Sequence, residues 1–315
     1  MKKTVFFAIA FTLNYWSLCG SVNAQSKETH LLPKSNIELN LELQNEGAAD
    51  YKTALIALTD TALVEFTTLF GGLPKKTNGD VYDSLTIKLK EVERGLGGEA
   101  DPEIIELRVS DAMVFEVFNW EVALIHEILH LWNAETFRYV DDHEQWFNEG
   151  VTEYLTYRLA AKLGIIKSDK VVTAFSIPIA NYLSAKGLGQ YSLRSAARTD
   201  KLKQKHYFLV YQGGFVAGMV LDHQIRSQSN GKFSLDDLMA EMYQAYSREN
   251  RYSSDSIQVL IKETMGLDFR DFFKNYINGK QIIPVGHYFN MGDLNFDRLS
   301  GKTSQLVLSD MLHLK

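Results

Sequence analysis

A chain of 315 residues, 45% hydrophobic and 23% charged, can build one large domain or two modest ones around a substantial core. Its formal charge of −6 gives no basic footprint for nucleic acid or an anionic membrane surface. A single cysteine excludes an internal disulfide.

The first 24 residues differ from the rest. Lys2 and Lys3 precede the apolar run 5–13, and Val22-Asn23-Ala24 ends in small residues before Gln25. A basic start, a short apolar stretch and a small-residue cleavage site predict a secretory signal peptide, and hence export to the periplasm or the extracellular space. The apolar run is too short to span a bilayer comfortably, so no stable membrane span is expected. Cys19 lies inside this segment behind Leu18, which is not the small residue that a lipid-modified cysteine requires. Removing the segment shifts the charge from −6 to −8 and leaves no thiol. Chemistry then rests on His, Glu, Asp, Tyr or Ser.

Residues 36–43 (NIELNLEL) alternate apolar and polar and predict a half-buried strand. Residues 51–70 carry apolar side chains at helical spacing, stopped by Gly71-Gly72-Leu73-Pro74. A second strand is expected over 81–92, a glycine-rich loop over 93–103 (ERGLGGEADPE), and a third strand over 104–110. A helix follows from about 114 to 132. Further helices are expected near 145–163, 170–184, 207–228, 234–247, 254–265 and 268–277, the fourth of them capped by Ser234 with acids in its first turn. An α+β fold results, with a small mixed sheet in front and a mainly helical C-terminal part.

The helix over 114–132 contains ALIHEILHLWN (123–133). Residues four apart share a helix face, so His126 and His130 can aim two imidazoles at one metal ion, while Glu127 lies one step round and can hold a water. This is the H-E-x-x-H arrangement of zinc peptidases, with the glutamate as general base. A core helix carrying a few satisfied polar residues is the competing reading. Burying three such groups without partners would be costly, which favours a ligand role. Catalytic zinc needs a third protein ligand and an open position. Glu149, which follows His130 after 18 intervening residues and lies within QWFNEGVTEY (145–154), can supply that ligand from a second helix. Glu153, four residues on, can back a ligand histidine by a hydrogen bond, or can simply be a solvated helix glutamate.

HEILH, 18 residues and NEG together resemble the gluzincin pattern of aminopeptidase N and the leukotriene hydrolase relatives. The longer wording resembles the glycyl aminopeptidase family: His130-Leu131-Trp132-Asn133, then Trp146 to Tyr154, then 211–239 (YQGGFVAGMVLDHQIRSQSNGKFSLDDLM). About residues 95–280 follow the family in order. The resemblance implies a thermolysin-like gluzincin catalytic domain over 51–292, preceded by a strand segment over 25–50 and followed by an irregular tail over 293–315. This would be a reduced catalytic core, without the family's large β-domain or PDZ domain.

The resemblance also implies one Zn²⁺ per chain on His126, His130 and Glu149, a peptide or protein substrate, and an oxyanion-stabilising role for Tyr211, which otherwise reads as a core tyrosine. Gly213 stands where the family has a lysine. The family's Gly-Gly-x-Glu, whose glutamate binds a free amino terminus, is matched one residue short by Gly97-Gly98-Glu99, so Glu99 is a candidate for that anchor, against a plain glycine turn. An exported zinc metallopeptidase, aminopeptidase-like in its cut, is the expectation. An endopeptidase, a catalytically weak zinc-containing peptide-binding protein, and a metal-free helical protein are its rivals.

Overall fold

The computed structural model describes residues 26–110 and 119–288; the expected signal peptide, the tail from 289 and the start of the motif helix lie outside them. Five strands form one mixed sheet in the order β1-β2-β3-β5-β4: β1 (Ser26–Leu31), β2 (Glu38–Leu43), β3 (Ser84–Glu91), β4 (Gly97–Asp101) and β5 (Ile104–Val109). β2, β3 and β5 run parallel, and the two edge strands run antiparallel to their neighbours. Leu39, Leu41, Ile87, Leu89, Ile105 and Leu107 bury one face of the sheet. The other face is polar, with the Lys88–Glu106 ion pair across β3 and β5. That division follows from the two-residue side-chain period of a strand.

α1 (Lys52–Phe70) ends where Gly71 takes φ 75°, a conformation that L side chains rarely adopt. Among the described residues, only the segment Glu46–Phe70 is long and apolar enough to cross a membrane. In the fold it is a core helix: Leu55, Leu63, Phe66 and Phe70 are buried, and it packs on α2 (Trp120–His130) and α8 (Leu235–Ala245). α2 also lies on β4 and β5. The helical part continues through α3 (Thr152–Lys162), α4 (Val171–Leu183), α5 (Leu193–Ala197), α6 (Asp200–Lys205), α7 (Tyr207–Gln228) and α9 (Ser254–Met265).

Three features depart from expectation. Residues 97–101 are a strand, not part of a loop: a turn at Pro102-Glu103, with Glu103 at φ 62°, folds them back to pair with β5. β1 is polar enough on both faces to escape a periodicity reading, since it pairs only at the sheet edge. The helix expected over 145–163 starts as a wide π-helical turn (Trp146–Val151) before α3, and a second π-helical turn (Leu131–Thr136) follows α2. Such turns are rare and concentrate at functional sites.

Candidate active site

α2 starts at Asn119, whose side chain accepts from the Val122 amide at 3.1 Å. It is held at its far end by Trp132, fully buried, which stacks on Phe70 at 5.4 Å and donates to the Gly72 carbonyl at 2.8 Å. Between these anchors His126 and His130 share one face, their Nε2 atoms 3.1 Å apart. Glu149 arrives from the π-helical turn, its Oε2 3.5 Å from each of those nitrogens. Two imidazole nitrogens and one carboxylate oxygen thus converge. Bonds of about 2.0–2.2 Å to a tetrahedral zinc place ligand atoms roughly 3.3 Å apart, so the donor set fits the ion in both chemistry and spacing.

The electrostatics agree with a shared site. Burial raises the Glu149 carboxyl, but hydrogen bonds from His126 and His130 outweigh it and hold the group well below the usual carboxylate range. Burial lowers His126. It also lowers His130, but Glu149 beside it reverses this and lifts the group to about 9. Glu127, only 6% exposed, is pushed up to about 7 by burial against the opposing pull of His130.

Glu149 owes its position to two glycines. A Cβ on Gly150 would come within 2.7 Å of the Phe215 nitrogen, and one on Gly214 within 2.8 Å of Gly150 Cα and against the Trp146 carbonyl. α7 therefore meets the turn that carries Glu149 backbone to backbone, with no room for a side chain. On the sheet side, Gly98 lies flush with Glu127: a Cβ there would sit 2.5 Å from Glu127 Cγ.

Tyr211 lies on α7, 7% exposed and stacked on Tyr207 with ring centres 4.2 Å apart. Burial, then the charges of Glu149, Tyr207, Glu127 and Glu153, drive its hydroxyl well above the usual phenol range, so it stays a proton donor beside the cluster. At the place of the family lysine, a Cβ on Gly213 would stand 2.6 Å from Leu193 Cδ2 and 3.3 Å from the Tyr182 ring, so a side chain there requires Leu193 to turn aside.

Two sequence candidates sit differently from expectation. Glu153 hydrogen-bonds no histidine; its two carboxylate oxygens accept from Gln212 Nε2 at 2.9 and 2.8 Å, and burial pushes the carboxyl up to about 7. Glu99 is exposed and pairs with Glu106 on the polar face of the sheet, although Glu127 still feels its charge. With a two-residue period, Gly98 and Ala100 face the helix side, so the one-residue shift in Gly-Gly-Glu turns the carboxylate away from α2. Asn133, noted in the sequence only as part of a longer wording, lies 3.0 Å from His130 Nδ1.

Comparison with solved structures defines the class of fold. An aminopeptidase N family protein from Idiomarina loihiensis superposes with a TM-score of 0.71 at 20% identity, covering 85% of this chain and 49% of its own. An M1 zinc metallopeptidase from Deinococcus radiodurans gives 0.61 at 14% identity, covering 82% and 53%. Yeast LTA4 hydrolase gives 0.57 at 12%, covering 82% and 40%. The chain thus has the fold of M1-type metallopeptidases over about half their length. The sequence model of the M61 glycyl aminopeptidase family matches residues 121–216, a stretch that holds His126, Glu127, His130, Glu149 and Tyr211. The resemblance to the glycyl aminopeptidases holds over that stretch. No curated protein matches the chain by sequence.

Proposed function

We propose that the chain is an exported zinc metallopeptidase built on a thermolysin-like gluzincin catalytic domain within residues 51–292. The observation that carries this reading is the convergence of His126, His130 and Glu149 beside the buried carboxyl of Glu127. One zinc ion on those three side chains would polarise a peptide carbonyl and make water a better nucleophile near neutral pH. Glu127 takes a proton from the attacking water and returns it to the leaving amine. Tyr211, held protonated, donates to the oxygen on which negative charge develops. Among the described residues β4 pairs on one side only, and Gly98 sets its inner face against Glu127; an edge of this kind takes an extended peptide by main-chain hydrogen bonds. Tyr211→Phe is expected to lower kcat by about 10²–10³-fold with little change in KM. A fall in KM-dependent binding alone would give the tyrosine a substrate-packing role instead.

An aminopeptidase-like cut is the first reading, supported by the family match. Internal cleavage is the second, and the position of Glu99 favours it: a carboxylate on the polar face of the sheet is poorly placed to hold an amino terminus at the cluster. Matched peptides with free and acetylated amino termini separate the two. Equal turnover of both supports internal cleavage, and loss of turnover on acetylation supports the first reading.

A further inference from the structure

His130 uses Nε2 toward the donor cluster, and its other ring nitrogen meets Asn133 Oδ1. Asn133 is fully buried. Its amide nitrogen donates to Thr152 Oγ1 and, at 3.4 Å, toward the main-chain oxygen of Asn148. The Thr152 hydroxyl donates to that same oxygen. The direction of this chain is set from its end. A main-chain carbonyl only accepts, so the single hydroxyl hydrogen of Thr152 goes to Asn148. The Thr152 lone pair is then left for the Asn133 amide N–H. That turns Oδ1 toward His130, and an amide oxygen also only accepts. The hydrogen on His130 Nδ1 is therefore fixed, so Nε2, facing His126 and Glu149, is the nitrogen that carries the lone pair when the ring is neutral.

We infer that Asn133 is a positioning residue: it sets the tautomer and ring orientation of His130 for metal binding and, through Thr152 and the Asn148 carbonyl, ties that ring to the backbone next to Glu149. This rests on the reading of the cluster as a zinc site. Glu153, the residue whose spacing first suggested this role, is engaged by Gln212 instead.

Zinc affinity by chelator competition, together with the ¹⁵N-edited spectrum of the zinc-loaded protein, tests the inference. Wild type is expected to show a His130 Nδ1–H signal protected from solvent exchange. Asn133→Leu should lose that signal and bind zinc about 10–100-fold more weakly. Asn133→Asp, which keeps the acceptor, should recover most of the affinity. A folded Asn133→Leu protein with unchanged zinc affinity overturns the assignment, as does a wild-type His130 protonated on Nε2 alone. Should Asn133→Leu fail to fold, Thr152→Val interrupts the same chain from its far side, and an unchanged affinity there counts equally against it. Absence of zinc binding in wild type would instead overturn the zinc reading itself.

Discussion

Glu127→Gln is expected to keep the full zinc content of the wild type and to lose about 10²–10⁴-fold in turnover. The substitution preserves shape, so the contact with Gly98 and the packing of α2 on β4 survive. What it removes is the ability to accept a proton at a buried position one residue from a ligand. Metal analysis and peptide turnover on the same sample check both halves. Wild-type turnover in this variant would remove Glu127 as the base and leave the cluster without a proton acceptor on α2. Loss of zinc together with activity would show that the carboxylate serves the ion rather than the water.

Gly214→Ala has the second large expected effect. The new methyl meets backbone on both sides, the Trp146 carbonyl and Gly150 Cα, and neither can turn aside as a flexible side chain would. Overpacking of this kind costs about 1–3 kcal/mol, and rigid backbone neighbours put this site at the upper end. For a chain of this size that corresponds to a Tm fall of about 5 °C. Relief requires α7 to move off the turn that carries Glu149, so zinc binding should weaken in parallel. Gly218→Ala is the control on the same helix. Its Cβ would lie 3.2 Å from a Val151 methyl and 3.6 Å from the Tyr154 ring, contacts that side chains can absorb. Scanning calorimetry with and without zinc compares the two. Equal Tm values for Gly214→Ala and wild type would show that the close approach of α7 does not hold Glu149 in place.

The parts of the site that lie on one regular helix were legible in the sequence. The four-residue spacing of His126 and His130 has one meaning on an α-helix, and the structure brings their Nε2 atoms together. Glu149 came from a gap of 18 residues and a family wording, because nothing local says that a wide helical turn will swing it onto α2. The two glycines that permit this, Gly150 and Gly214, are silent to hydrophobic periodicity. Their meaning lies in an absent side chain and appears only when two distant backbones meet.

β4 shows the opposite failure. Gly97-Gly98 and Pro102 carry the composition of a loop, and pairing with β5 overrides it. Once the segment is a strand, alternation decides what Glu99 faces, and one residue of offset separates the helix side from the polar face. Glu153 lies one turn beyond Glu149, but its partner Gln212 is on another helix and could not be read from spacing. Asn133 had a signal of its own: an asparagine three residues after a histidine on one helix face lies within reach of that ring.

Incubation of a mixed peptide pool with the zinc-loaded protein, read by mass spectrometry beside a chelator-treated sample and one resupplied with zinc, tests the central claim most directly. New peptide ends should form in the first sample, vanish in the second and return in the third. A pool left intact by the zinc-loaded protein, or cut equally in the presence of chelator, would contradict a peptidase built on His126, His130, Glu149 and Glu127.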